Sequence, residues 1–342
     1  MTLCKKLYVL YYKLFDRKYY QNGLKFIDRQ IKRFEGNVSP KEYQKLVVDM
    51  VYSLHRFGAS FDEYFQYRFK HLSTYGRDQF VTDKLRYAYY EIMIKKEAMS
   101  VLVEKDKTYA VFSKYFWRDF LKISGKNDFD AFSEFVKKHA QMVVKPYRGA
   151  SGDGVELVSR DDYKDIPSLF EYVFSKGEVV IEELIKSHPE LKRLHEHSVN
   201  TIRVMTIKTK DANEVLFAVV RTGRNKSFVD NANSGGIYAD IDVETGIIKT
   251  AGVDHEMNRY VTHPDSGVPF VGFQIPMWES LLNIVNELAD VVSSTRCVGW
   301  DLTLSEKGWV LVEANPGGGI FLFQTPENIG KKKELEELVK CW

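Results

Sequence analysis

The sequence predicts an α+β protein, a helical N-terminal region followed by antiparallel sheets. Two observations carry the prediction. Apolar residues recur at intervals of three and four as far as about residue 97, and from about residue 98 short β-rich runs take over, separated by single helical stretches. Strand pairs followed by one helix favour antiparallel sheets over the regular strand and helix alternation of a parallel one.

Along the chain, Leu24, Ile27, Ile31 and Phe34 mark the buried stripe of a first helix, and Tyr43, Leu46, Val47, Met50, Val51 and Leu54 that of a second. Ser39-Pro40 starts the second: the serine caps a free N–H, and proline takes the first helical position, where its missing N–H has no partner to lose. The β-rich runs lie at 142–145, 179–184, 201–208, 215–222, 237–243, 298–304 and 309–314, with helical patterns at 129–139 and 278–292. Phe129, Phe132 and Phe135 sit at helical spacing and are assigned to a core.

The 342 residues are 44% hydrophobic and 28% charged with 9 prolines, which allows a sizeable core and excludes bulk disorder. A net charge of +2 excludes a surface that binds nucleic acid throughout by counterion release. Cys4, Cys297 and Cys341 lie far apart without CxxC spacing, as expected in a reducing compartment. No run approaches the roughly 20 apolar residues of a spanning helix and no secretory signal is evident, so a cytoplasmic location is expected. The first 33 residues hold nine Lys or Arg against two Asp. Laced with aromatics, this stretch suits peripheral contact with the inner face of an anionic membrane, or equally a solvated helix face on its own protein.

Four groups of residues carry chemistry. Lys145 ends a strand and runs into a loop holding Gly149, Ser151, Gly152 and Gly154, where backbone N–H groups can approach phosphate oxygens. Its spacing is neither GxGxxG nor a P-loop, and alone it reads as a hairpin turn. Glu182, Glu183, Leu184 and Ile185 end a β-run, where backbone groups could meet an adenine, Glu182 could accept from its exocyclic amine and apolar side chains could sandwich the ring. Arg203 and Arg221 stand among β-branched residues, placed to neutralise phosphate or to pair with a carboxylate. Asp301, Glu313 and Asn315 lie on a hairpin. A three-residue loop Glu306-Lys307-Gly308 would pair Ser305 with Trp309, set Asp301 opposite Glu313 and put Asn315 on the same face. Two carboxylates and an amide oxygen suit Mg²⁺, a hard cation that shares its other positions with water and phosphate. His195-Glu-His197 is not a zinc motif and is assigned to the surface or to a substrate-facing position; no GxSxG elbow occurs.

Taken together, over roughly residues 100 to 325, these residues resemble the ATP-grasp superfamily, and more narrowly its sugar-transfer-associated subgroup found with polysaccharide biosynthesis genes. The resemblance implies an ATP-grasp fold, two α+β lobes holding ATP between antiparallel sheets, with a helical region at 1–98, a small lobe with the glycine loop at 99–186 and a large lobe with the metal site at 187–342. Lys145 and its loop, with Ser151 and Gly152, look like the second ATP lysine and the phosphate-covering loop, and residues 182–185 like the adenine hinge. Asp301, Glu313 and Asn315 match the family's metal ligands, and Gly317, Gly318 and Gly319 its glycine segment beside the acceptor carboxylate. Two pairs compete for the first ATP lysine. Asp106-Lys107 follows the subgroup's pattern ahead of Trp117-Arg-Asp-Phe-Leu-Lys122, whereas Asp83-Lys84 resembles D-alanine ligase wording; Lys107 is chosen. D-alanine ligases carry an arginine where this chain has Gly299, so their amino-acid clamp is not expected. The segment Asp230-Asn231-Ala-Asn233-Ser-Gly235-Gly236 looks like a subgroup signature of unassigned role.

What the resemblance implies is a ligase that uses ATP and Mg²⁺ to turn a small-molecule or sugar-linked carboxylate into an acyl phosphate, displaced by an amine to give an amide, with Arg203 and Arg221 stabilising the transferred phosphoryl group. Phosphotransfer to a hydroxyl by a small-molecule kinase, and a nucleotide-binding interaction module of a glycan assembly, are the alternatives. No nucleic acid partner is expected, and the oligomeric state is left open.

Overall fold

The computed structural model describes residues 5–7, 9, 10, 17–148, 152–292 and 294–340, and its contacts divide the chain into two compact units. One is helical, comprising residues up to Ile92, Glu256–Asn258 and the stretch from Ile320 onward; the other runs from Met93 to His255 and from Arg259 to Gly319.

The helical unit is built on α1 (Arg17–Glu35) and α2 (Pro40–Phe57). Ser39 caps α2, its Oγ accepting from Glu42 N at 3.3 Å, and Gly58 closes it in the left-handed conformation (φ 72°) that glycine adopts without strain. Leu46, Val47, Met50 and Val51 are buried with Ile27 and Ile31 of α1 and with Tyr64, Tyr67, Phe69 and Phe80. Val9 joins this cluster and Lys5 pairs with Asp49, so the start of the basic stretch packs on its own protein; Tyr8 and residues 11–16 lie outside the described residues. Among the described residues no helix is long and apolar enough to cross a membrane. Residues 320–340, grouped by sequence with the metal-bearing region, belong to this unit instead. Phe321 packs against the helical core, and the Gln324 side chain accepts from Val81 N at 2.8 Å and donates to Val81 O at 3.0 Å, completing a backbone that no strand pairs.

The second unit opens with helices α3 (Lys96–Val103) and α4 (Lys105–Phe116) and holds two antiparallel sheets. The first contains β1 (Phe120–Ile123), β2 (Gln141–Pro146), β3 (Glu156–Ser159) and β4 (Val179–Glu183) in the order β1-β4-β2-β3. Helices α5 (Phe129–Lys138) and α6 (Ile166–Ser175) cover one face, where Phe132, Phe135, Leu169 and Phe170 bury Met142, Val144, Val179 and Ile181. Strand alternation sends Val143, Lys145 and Glu182 to the other face.

The second sheet runs β11-β10-β5-β6-β7-β8-β9, with β5 (Ile202–Lys208), β6 (Asn213–Thr222), β7 (Ile237–Ile241), β8 (Gly252–Val253), β9 (Arg259–Tyr260), β10 (Cys297–Ser305) and β11 (Gly308–Pro316). Val204, Val220, Trp300, Leu302 and Leu304 face Leu281, Val285 and Leu288 of α7 (Trp278–Val291), with Phe112 edge-on to the fully buried Trp300. The same alternation leaves Arg203, Arg221 and Asp301 on the opposite face. The short β1, β3, β8 and β9 are additions to the seven runs read from sequence.

His195 is not a surface residue. It is 1% exposed, stacked on His263, and its Nδ1 lies 2.9 Å from Ser198 Oγ. Burial, followed by the neighbouring His263, holds its imidazole below the usual range, in the neutral form.

Candidate functional site

A single cleft of about 1190 Å³, counted to its open mouth, collects most of the residues singled out by sequence: Lys145, Gly152, Glu182 to Ile185, Arg221, Asp301 and Glu313 all line it. Its walls are apolar, with Leu102, Val143, Phe116, Phe120 and Val199 beside a few convergent charges, the usual make-up of a small-molecule site. Ser151 lies outside the described residues. Lys107, Arg203, Asn315, Gly317, Gly318 and Gly319 are not among the cleft-lining residues.

The hairpin arrives at the expected pairing by another route. Ser305 pairs with Gly308, not Trp309, so the turn has two residues, Glu306 and Lys307; a bulge at Val312 then adds one residue to β11 and restores Asp301 opposite Glu313, with Asn315 opposite Gly299. The two carboxylates have different surroundings. Asp301, 1% exposed, takes both Arg203 Nε and Nη2, the latter at 2.7 Å, with Arg221 Nη2 at 2.9 Å and Asn315 Nδ2 at 3.2 Å. Burial pulls its carboxyl up, but the two guanidiniums outweigh burial and hold it below the ordinary range. The Glu313 carboxylate has no hydrogen bond or ion pair with another described residue. Burial, and then the Asp301 charge, push its carboxyl up, against the pull of Lys145, Lys105 and Arg203.

That contrast is the test of fit for a divalent cation. Glu313, a carboxylate without a cationic partner, stands opposite Asp301 across a strand pair with the Asn315 amide beside them, a set of hard oxygen donors with one carboxylate left unpaired. The residues present therefore fit Mg²⁺.

Both arginines are already engaged. Arg203 holds Asp301 and donates to Gly318 O at 3.0 Å, while Arg221 holds Asp301, donates to Thr201 Oγ1 at 2.8 and 2.9 Å, and lies 3.8 Å from Asp230. Of the two, only Arg221 lines the cleft. Asp230, from the unassigned segment, accepts from Thr201 N at 2.8 Å and lines the cleft with Asn231. Gly299 has no room for a side chain: a Cβ there would stand 2.4 Å from Gly318 Cα.

Glu182 does not present a free carboxylate to a base. Its Oε2 takes Lys145 Nζ at 2.9 Å and Arg118 Nε at 2.8 Å. Burial raises this carboxyl, Arg118 and Lys145 lower it further, and the net value is about 2.

The structure places the lysine chosen from sequence outside the cleft. Lys107 is half exposed and paired with Glu104 at 3.1 Å, beside the Asp106–Tyr147–Lys122 contacts outside the cleft. Lys84, the competing candidate, belongs to the helical unit. The cleft lysine is Lys105, with Thr108 one turn on. Two residues apart on a helix is about 200° of rotation, so Lys105 and Lys107 point to opposite sides, whereas 105 and 108 share one. Burial, and then Lys145, lower the Lys105 amine against the raising pull of Glu313. The helix phase of α4 was the missing signal, and the sequence around residue 105 is too weakly amphipathic to fix it. Arg118 was missed for another reason: its partners lie 64 and 193 residues away.

The family described as sugar-transfer associated ATP-grasp matches residues 70–340. Among solved structures, the ATP-grasp ligase PsnB complexed with minimal precursor is 14% identical, with 75% of this chain and 69% of that one covered and a TM-score of 0.46. The D-alanine-D-alanine ligase of Helicobacter pylori is 17% identical over 73% and 61% of the two chains, with a TM-score of 0.45. The L-amino acid ligase of Bacillus licheniformis is 16% identical over 71% and 49%, with a TM-score of 0.43. No curated protein matches the sequence.

Proposed function

Since the chain belongs to the sugar-transfer associated ATP-grasp family, we propose that it is an ATP-dependent ligase that activates a carboxylate as an acyl phosphate and passes the acyl group to an amine, in the building or modification of a cell-surface polysaccharide. The observation that carries this reading is the one cleft that holds two lysines, an arginine and the Asp301–Glu313 pair beside a strand-end hinge.

In this reading the backbone of Glu183, Leu184 and Ile185 meets the adenine, while Lys105 and Lys145 hold phosphate oxygens. Glu182 fixes Lys145 and makes no contact with the base. Asp301, Glu313 and Asn315 would hold Mg²⁺, which supplies charge neutralisation at the β- and γ-phosphates when bound. Arg221 faces the cleft from Asp301 and stabilises charge on the transferred phosphoryl group; Arg203 acts behind it, orienting Asp301 and Gly318. The carboxylate substrate attacks the γ-phosphorus, the Pγ–O bond to ADP breaks, and the amine then displaces phosphate from the acyl carbon. No side-chain nucleophile is needed. Gly317, Gly318 and Gly319, all at positive φ and tied to Asp301 through Arg203, would stand beside the acceptor carboxylate in this reading.

The test is ADP release across a panel of uronic acids and amino acids, with and without amines. A ligase releases ADP and phosphate only when carboxylate and amine are both present, and yields a hydroxamate with hydroxylamine. A stable phosphorylated product, or release that ignores the amine, overturns the reading in favour of a kinase.

A further inference from the structure

We propose that Arg118 is a positioning residue of the nucleotide site, one guanidinium that sets the phosphate lysine of the first sheet and the metal-side carboxylate of the second in register. The proposal rests on the nucleotide-and-metal reading above.

Arg118 is 6% exposed and follows Trp117, whose left-handed conformation (φ 45°), unusual for a bulky residue, turns the chain out of α4. Its fork spans both sheets. Nε donates to Glu182 Oε2 at 2.8 Å, the oxygen that also takes Lys145 at 2.9 Å. Nη1 donates to Leu311 O at 2.6 Å and Nη2 to Val312 O at 3.3 Å. Strand β11 is the edge of its sheet, so these carbonyls lie on a side where no strand pairs. Val312 is the extra residue of the bulge, and the bulge is what brings Glu313 opposite Asp301. One end of Arg118 therefore acts on Lys145 through Glu182, and the other acts on Glu313 through the backbone that carries it. A purely structural ion pair needs only one of these ends. Lysine, a point charge without the planar fork, can serve one end but not both.

The test is a double-mutant cycle on the full-length protein: wild type, Arg118→Lys, Lys145→Met and the double variant, each titrated calorimetrically with ADP in Mg²⁺, with thermal melts as the check on folding. The expected result is an ADP affinity that falls about tenfold for Arg118→Lys alone but less than about threefold in the Lys145→Met background, because half of the route through which Arg118 acts is already gone. Additive losses, or an unchanged affinity in a folded Arg118→Lys protein, overturn the proposal and leave the ligase reading intact. Wild-type protein that takes up no ADP overturns that reading, and this one with it. If Arg118→Lys does not fold, Arg118→Gln, which keeps amide donors for the carbonyls and drops the charge, is read in the same cycle.

Discussion

Glu313 stands opposite Asp301 across β10 and β11, yet the two arginines of the site both bind Asp301 and neither pairs with Glu313. The charge is thus unevenly shared. Asp301 is held ionised by two guanidiniums, while burial and the Asp301 charge both oppose ionisation of Glu313. In the proposed reading an incoming cation would gain most from Glu313, with Asp301 held in place by its two arginines.

The asymmetry predicts different outcomes for two isosteric changes. Glu313→Gln replaces a buried carboxyl whose ionisation burial and Asp301 oppose, so its melting temperature is expected to rise by about 2–4 °C while Mg²⁺-dependent turnover is lost. Asp301→Asn leaves Arg203 and Arg221 buried without their counterion and is expected to cost roughly 3–5 kcal/mol of stability as well as activity. Melts of both variants with and without Mg²⁺ check this; equal destabilisation by the two would contradict the uneven sharing.

The helix phase of α4 makes a second prediction. Lys105→Met removes a charge-assisted contact to phosphate worth about 1.5–3 kcal/mol, so nucleotide affinity is expected to fall roughly ten- to a hundredfold. Lys107→Met loses only a half-exposed pair with Glu104 and is expected to leave affinity unchanged. Titration of both variants with ADP and Mg²⁺ decides between the lysines; a loss confined to Lys107→Met would restore the assignment made from sequence.

How much was legible follows from the range of each signal. The helical stripe of α2, its Ser39 cap and the seven β-runs are local patterns, and they correspond to elements of the structure. The Asp301 and Glu313 pairing was legible in outcome but not in cause, since a three-residue turn without a bulge and a two-residue turn with one place the same two residues opposite each other. Sequence pointed to Lys107 where Lys105 lines the cleft, because a motif fixes neighbourhood, not rotation about a helix axis. Arg118, the return of residues 320–340 to the helical unit and the burial of His195 depend on contacts between distant segments, about which spacing along the chain says nothing.

Glu182 predicts an acid transition. Its carboxyl lies at about 2 in the folded chain against an ordinary 4.5, so its contribution is complete above pH 4.5 and is lost as pH falls toward 2. The expected loss over that window is roughly 3 kcal/mol. Glu182→Gln is expected to flatten the acid limb of the melting profile between pH 4.5 and 2 while lowering stability at neutral pH; an acid limb as steep as that of wild type would remove Glu182 from the account.

The helical unit carries the opposite dependence. Glu63 is 5% exposed and accepts from Ser60 N at 3.0 Å, Asp83 N at 2.9 Å and Tyr67 Oη at 3.1 Å. Burial, and then the Asp83 charge, push its carboxyl up to about 8, with Arg86 pulling weakly the other way. The folded chain keeps this proton while the unfolded chain releases it near 4.5, so stability falls as pH rises from 4.5 to 8. Glu63→Gln keeps an acceptor for the two backbone N–H groups and has no proton to lose. Its melting temperature is therefore expected to change less between pH 5 and pH 8 than that of wild type, and to exceed wild type near pH 8. Parallel melts at those two values check the sign, and a wild-type chain more stable at pH 8 than at pH 5 by the same margin as Glu63→Gln would show that Glu63 is ionised in the fold.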